Sequence, residues 1–227
     1  MIERDVDVPF FEVTIRALGG LLGAFTLGPN PKLLDLATQL GNALLPAFSS
    51  ASGVPFCTVN LRRRNASCPA SDFGESVPLS EMGSVQLEFS ELGRLLGDDK
   101  FAKAADGAIE ALRRTTRSRD GLYPSRIRPA HASPGSREVG FGSGSDSFYE
   151  TLLKRWLQGG GDAPHLLRLY RSATTAGLDS LLRRSHPSGW LFVGRSRAQC
   201  EACGRVGCRW CACGKPVCGS DVRRMRE

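Results

Sequence analysis

The sequence predicts an all-α fold, an α/α toroid of helical hairpins in which inner helices are backed by an outer layer. Three observations lead there. An acidic residue heads an apolar helix three times, at Glu12, Glu81 and Asp146, spaced 69 and then 65 residues apart. Each such helix ends in a Gly-rich turn, followed by a second, more amphipathic helix and a short extended segment. A period this long with two helices per unit reads as an array of hairpins. The first helix is apolar nearly all round, which suits an inner position covered on most faces. Three hairpins are too few to close such a ring, so further hairpins are expected outside this chain. An ordinary bundle of three helix pairs is the alternative that the pattern leaves open.

In the first unit Phe11, Ile15, Leu18, Leu21, Leu22 and Phe25 recur at helical spacing until Gly28-Pro29-Asn30-Pro31 stops them. Leu33, Leu34, Leu36, Ala37, Leu40, Leu44 and Leu45 form the outer partner. Val54 to Asn60 is extended, and Pro55 argues against a central strand. In the second unit Val85, Leu87, Phe89, Leu92, Leu95 and Leu96 precede Gly97-Asp98-Asp99. Phe101, Ala104, Ala105, Ala108, Ile109 and Leu112 then give the outer helix, and Gly121-Leu122-Tyr123-Pro124 opens the extended piece. The third unit runs through Phe148, Leu152, Leu153, Trp156 and Leu157 to Gly159-Gly160-Gly161-Asp162. Leu166, Leu167, Tyr170, Ala173 and Leu181 follow, and then Gly189-Trp190-Leu191-Phe192-Val193.

At 227 residues and 41% hydrophobic, the chain has enough apolar content for a sizeable core. No apolar run reads as long enough to span a bilayer, and Met1 to Asp5 carries no basic stretch leading into a signal sequence. The net charge of +7 is concentrated at the end: Arg195 to Glu227 holds eight Lys/Arg against three Asp/Glu. The rest is nearly balanced, so no nucleic-acid partner is implied. Cysteine is equally lopsided, with six of eight between Cys200 and Cys218. Composition therefore divides the chain into a domain over 1–194 and a Cys/Arg-rich tail over 195–227. Cys57 and Cys68 are able to bridge in an oxidising compartment, and Asn65-Ala66-Ser67 is a glycosylation sequon on a surface loop.

The acidic helix heads are the candidates for chemistry, since stacking like units brings their carboxyls to one end. Glu12 is favoured by the helix dipole, and Arg16 lies four residues on, on the same face. The surrounding apolar residues predict that both face an enclosed polar centre rather than form a surface pair. Asp146 and Glu150 repeat the spacing with like charges, which a calcium ion or Lys154 would relieve. Gly140-Phe141-Gly142-Ser143-Gly144 has the look of a phosphate loop. It follows no convincing strand and leads into acidic residues, so it reads as a flexible approach for a ligand. His131, His165 and His186 have no metal spacing. In the tail, Cys200, Cys203, Cys208 and Cys211 have paired zinc-ligand spacing with an unusually tight loop of four residues. They read either as a zinc knuckle or as a terminus foreign to the domain, the latter favoured by the abrupt change in composition after Gly194.

The run Phe11-Glu12-Val13-Thr14-Ile15-Arg16-Ala17-Leu18-Gly19-Gly20-Leu21-Leu22 resembles a signature of the class I α-1,2-mannosidases, glycoside hydrolase family 47. So do Leu44 to Phe48, Gly53-Val54-Pro55, Val59-Asn60-Leu61, Gly83 to Phe89, Leu95 to Asp98 and Asp146 to Lys154, in the family's order. Together they span roughly Val8 to Gly194. Gln86 and Ser84 make the chain more similar to processing mannosidases than to the degradation-enhancing branch.

That resemblance implies a partial (αα)7 barrel of about three hairpins with short extended segments. It also implies inverting removal of terminal α-1,2-linked mannose from high-mannose N-glycans or glycoproteins in the endoplasmic reticulum or Golgi, with calcium as cofactor. Glu12 would be the general acid, acting through a water, and Asp146 a further catalytic carboxylate. Arg16 and Glu81 would bind sugar, and Glu150 would reach calcium through water. Inversion places the two working carboxyls roughly 6.5–9.5 Å apart, which separate inner helices allow. Gly144 stands where endoplasmic-reticulum-type members carry an arginine. The family's later base, its calcium-binding threonine, its opening helix and its membrane anchor are not found in this chain. The expectation is therefore that the chain alone is inactive, with a non-catalytic glycan-binding remnant or a zinc-knuckle interaction protein as the alternative.

Overall fold

The structure is a computed structural model that describes residues 4–69, 75–114, 121–197 and the strand pair 209–210 and 216–217. Three helical hairpins make up the body. In the first, α1 (Phe10–Val13), a π-helical turn (Thr14–Leu18) and α2 (Gly19–Leu27) run as one rod, which packs against α3 (Pro31–Leu44). A short helix α4 (Leu79–Gly83) precedes the second hairpin, α5 (Gln86–Leu96) with α6 (Lys100–Arg114). The third is α7 (Asp146–Gln158) with α8 (Pro164–Leu181). Helix α5 touches both α2 and α7, so these three form the inner row; the described helices do not close a ring.

Local chemistry accounts for the helix ends. Asn30 caps α3 by accepting the Lys32 amide at 3.0 Å, and Pro31 takes the first helical position, where its missing N–H costs nothing. Gly97 ends α5 in the left-handed region at φ 64°, its amide bonded to the chain within the last turn. In the rod, the Thr14 hydroxyl donates to the Phe10 carbonyl at 2.8 Å, at the start of the π turn.

The extended segments pair antiparallel. Strand β2 (Thr58–Asn60) lies between β1 (Asp7–Pro9) and β3 (Ala66–Ser67). It is thus a central strand, contrary to the expectation drawn from Pro55, because the proline falls three residues before the ladder starts. Strand β5 (Arg126–Arg128) lies between β4 (Val77–Pro78) and β6 (Ser133–Pro134). Strand β7 (Glu138–Gly140) pairs with β10 (Arg195–Arg197), and β8 (Leu182–Arg184) with β9 (Leu191–Val193). The ladder therefore continues past the composition change at Gly194.

Two apolar clusters fill the hairpins. Phe10, Leu18, Leu22, Leu40, Leu44, Phe89, Leu92 and Phe101 make one, with Phe10, Phe48 and Phe89 stacked edge to face or tilted at 5.2–5.9 Å. Leu79, Met82, Leu112, Tyr123, Ile127, Phe148 and Leu152 anchor the other. A small residue lets α4 approach α7. A Cβ on Gly83 would stand 2.2 Å from the Phe148 ring.

The first rod departs from expectation in two ways. Only Phe10, Thr14, Leu18 and Leu22 are buried, a single stripe facing α3 and α5, while Leu27 is 91% exposed. The described chain supplies neighbours on one side only. Phe10–Leu27 is also long and apolar enough, by length and composition, to cross a membrane, which the sequence reading had not counted. Only 22% of that segment is buried, in the stripe that faces α3 and α5.

Candidate active site

Glu12 and Arg16 sit one turn apart on the first rod, joined by a 2.5 Å ion pair between Arg16 Nε and Glu12 Oε2. Their side chains are 48% and 75% exposed, so this part of the site is open rather than the enclosed polar centre expected. Glu81 does not head α5 itself. It occupies the separate turn α4, because Ser84 and Val85 leave the helical conformation before Gln86 restarts it.

The surroundings of Glu81 carry the electrostatics. Its carboxyl is half-buried, and that burial raises its pKa above the ordinary glutamate value. The Arg126 guanidinium pulls it back down, and the negative charge of Glu12 pushes it up again. The charge of the first unit therefore reaches the second, as the least of the three influences on Glu81. Arg126 is in turn drawn below the usual arginine range by its own partial burial, and Glu81 opposes this. Its guanidinium donates to the Ser76 hydroxyl at 3.1 Å and the Ser76 carbonyl at 2.5 Å. Those bonds tie β5 to the chain entering β4, one strand before Glu81. Arg126 was missed at the level of sequence, where nothing distinguished it from neighbouring loop arginines.

Asp146 opens α7 and is tied to α4 through its flanks. The Ser80 amide donates to the Gly144 carbonyl at 3.0 Å, and the Ser84 hydroxyl donates to the Ser147 hydroxyl at 2.9 Å. The Asp146 carboxylate accepts the Ser147 amide at 2.9 Å. Each clamp lies within a few residues of Glu81 or Asp146, so the second and third helix heads are held at the same end. Helices α4 and α7 meet there, with Phe148 against Gly83.

The glycine loop differs from its sequence reading. Strand β7 leads straight into it, and it is pinned rather than flexible. The Ser145 and Asp146 amides both donate to the Gly142 carbonyl, at 3.0 and 3.1 Å. Arg195 lies over Gly142, whose Cβ would stand 3.0 Å from Nη2, and donates to the Ser143 carbonyl at 3.3 Å.

Glu150 is engaged by Lys154 at 2.8 Å, the neutralisation that the sequence offered as the alternative to calcium. Among the described residues no group of three His, Cys, Asp or Glu side chains gathers in a way that would hold a metal ion. The described donor set does not fit calcium. Cys200, Cys203, Cys208 and Cys211 lie outside the described residues.

A second carboxylate escaped the sequence reading as a candidate. Glu88 on α5 packs against the first rod, 3.4 Å from where a Gly19 Cβ would stand, and its Oε2 is buried without a hydrogen bond. Burial raises its pKa. Its position within Gly83 to Phe89 was visible, but its contact with a helix about seventy residues away was not. A separate cleft of about 620 Å³, lined by Glu110, Arg113, His165, Arg168, Leu169 and Ser172, includes none of the candidate residues.

The arrangement provides a half-buried carboxyl inclined to hold a proton, two arginines and two further carboxylates on separate helices. That is a set able to hydrogen-bond sugar hydroxyls and to move a proton to a leaving oxygen.

Comparison with known proteins gives the family of the chain. The model of glycosyl hydrolase family 47 matches residues 2–207. The chain is 41% identical over 194 residues to the human endoplasmic reticulum mannosyl-oligosaccharide 1,2-alpha-mannosidase, covering 85% of this chain and 27% of that protein. It is 36% identical over 194 residues to a mannosyl-oligosaccharide 1,2-alpha-mannosidase of Arabidopsis thaliana, covering 84% and 34%. The solved structure of an alpha-1,2-mannosidase from Trichoderma reesei matches with a TM-score of 0.76 at 26% identity, over 86% of this chain and 43% of that one. The chain thus spans 27–34% of the length of these two curated relatives. With helical hairpins in common and a family model matching from residue 2 to residue 207, the chain belongs to glycosyl hydrolase family 47.

Proposed function

We propose that this chain carries part of the site of an inverting α-1,2-mannosidase acting on terminal mannose of high-mannose N-glycans. The observation that carries the reading is electrostatic and geometric. Glu12, from the first hairpin, and Arg126 both bear on Glu81, while paired backbone and hydroxyl clamps hold Asp146 to the same end. In this reading Arg16 and Glu81 bind the sugar, Glu12 protonates the glycosidic oxygen through a water, and Asp146 supplies a further carboxylate. Calcium is what the family resemblance adds. Family membership favours this hydrolase over the non-catalytic or zinc-knuckle alternative. The names of the relatives, together with the Cys57–Cys68 disulfide, support action in the secretory pathway.

The test is to graft residues 8–197 in place of the matching segment of the Trichoderma enzyme and measure mannose release. Release is expected, with a loss of about 10²-fold or more in Glu12→Gln and in Asp146→Asn, the usual scale for acid/base groups. Equal release by all three versions would contradict the assignment.

A further inference from the structure

The sheet beside the first hairpin carries a motif that the glycosidase reading does not use. Asn65-Ala66-Ser67 has the acceptor pattern for N-glycan attachment, with a residue other than proline in the middle. The remaining asparagines, Asn30, Asn42 and Asn60, are followed two residues on by Lys, Leu and Arg, so this triplet is the chain's single acceptor. Such triplets arise by chance, and what raises this one above chance is its setting.

Asn65 is exposed at the turn between β2 and β3. Its backbone carbonyl accepts the Asn60 amide at 2.9 Å, which fixes the turn, while its side-chain amide makes no hydrogen bond among the described residues. The turn is built to hold this geometry. Asn60 is buried, donates to Asp5 and Asp7 at 2.9 and 2.7 Å, and accepts the amides of Arg62 and Arg63. Ser67 is exposed on β3, which has β2 as its only partner among the described strands. A glycan rooted at Asn65 would therefore enter solvent beside an open sheet edge, where it displaces no packed group and shields the edge from pairing with another chain.

The neighbouring residue supplies independent evidence of compartment. Cys68 follows Ser67 directly and is bonded to Cys57, with an S–S distance of 2.04 Å. The disulfide lies at the edge of the core, since Cys57 and Cys68 pack against the buried cluster around Leu79 and Phe148. A bond of this kind forms where thiols are oxidised, in the lumen through which acceptor asparagines also pass.

We propose that Asn65 is an N-glycosylation site, modified as the chain enters the secretory lumen. In the transfer, the Asn65 amide nitrogen attacks the anomeric carbon of the first N-acetylglucosamine of a lipid-diphosphate-linked oligosaccharide. The new C–N bond forms as the C–O bond to the diphosphate breaks. The lipid diphosphate leaves with the bonding electrons, and the amide gives up one proton; nothing is oxidised or reduced. In the folded chain Ser67 is held opposite Thr58 and Ala66 opposite Val59. The triplet is then fixed along a strand, so transfer comes before β3 docks on β2.

The experiment is translocation of the full chain, placed behind a cleavable secretion signal, into microsomes, with size read before and after peptide-N-glycosidase. The expected result is a single glycan increment on protease-protected chain, removed by the glycosidase and absent in both Asn65→Gln and Ser67→Ala. Protected wild-type chain without the increment, or an increment that persists in either variant, overturns the proposal. Because transfer acts on the entering chain, a variant that folds poorly still gives the answer. The outcome is independent of mannosidase activity.

Discussion

Gly144 shows how a single residue sets the site. It sits at φ +89°, a conformation that costs an L-residue strain, and its carbonyl receives the Ser80 amide. An arginine there, as the resemblance places in endoplasmic-reticulum-type members, would have to distort the clamp between α4 and α7. We expect Gly144→Arg to lower stability by about 1 kcal/mol or more, measured as a fall in the denaturation midpoint without a change in slope. Glu88 gives a pH signature. Its pKa is raised in the folded chain, so the folded state binds the proton more tightly than the unfolded one. Its favourable contribution is complete below the ordinary glutamate value and is lost as pH rises through the raised value. Glu88→Gln should therefore match the parent in acid and exceed it in stability at neutral pH. A thermal midpoint difference that does not change with pH would contradict this.

At the scale of elements, the site depends on how α4 meets α7. The Ser84–Ser147 bond is one of two clamps, and a neutral hydrogen bond is worth about 1 kcal/mol net. Ser84→Ala and Ser147→Ala should each cost about that, and the double variant less than their sum, since either change alone removes the shared bond. Additive losses would show that the hydroxyls act separately. Much of this layer was legible in sequence. The six principal helices follow from apolar spacing, and Gly97 and Pro31 mark ends for stated stereochemical reasons. What was not legible depended on contacts distant in sequence. Glu81 falls on its own turn because Ser84 and Val85 leave the helical conformation, at the point where Phe148 of α7 packs against Gly83. The glycine loop, turned by its own backbone bonds, is also covered at Gly142 by Arg195, more than fifty residues on. Arg126 reaches Ser76 and Glu81 because β5 pairs with β4.

For the whole molecule, the repeat predicted at the outset is present as three hairpins, but the coverage expected of an inner helix is not. The rod from Phe10 to Leu27 buries one stripe, and Trp190, Leu191, Phe192 and Val193, in and just before β9, are also exposed. Apolar periodicity identifies a helix and its layer, whereas its burial depends on which neighbours the chain supplies. The Cys57–Cys68 bond staples the loop between the first and second hairpins. Closing a loop of this length constrains the unfolded chain by about 2–3 kcal/mol, so Cys57→Ser with Cys68→Ser should lower stability by that order in oxidising buffer. The two forms should converge once reductant is added.

The central claim is that carboxylates from separate hairpins share one site. Its most direct test is an NMR titration of the Glu81 side-chain carboxyl in the parent chain and in Glu12→Gln. A parent midpoint above the ordinary glutamate value that falls when the Glu12 charge is removed is the predicted result. A Glu81 midpoint that is ordinary in the parent, or indifferent to Glu12→Gln, would contradict it.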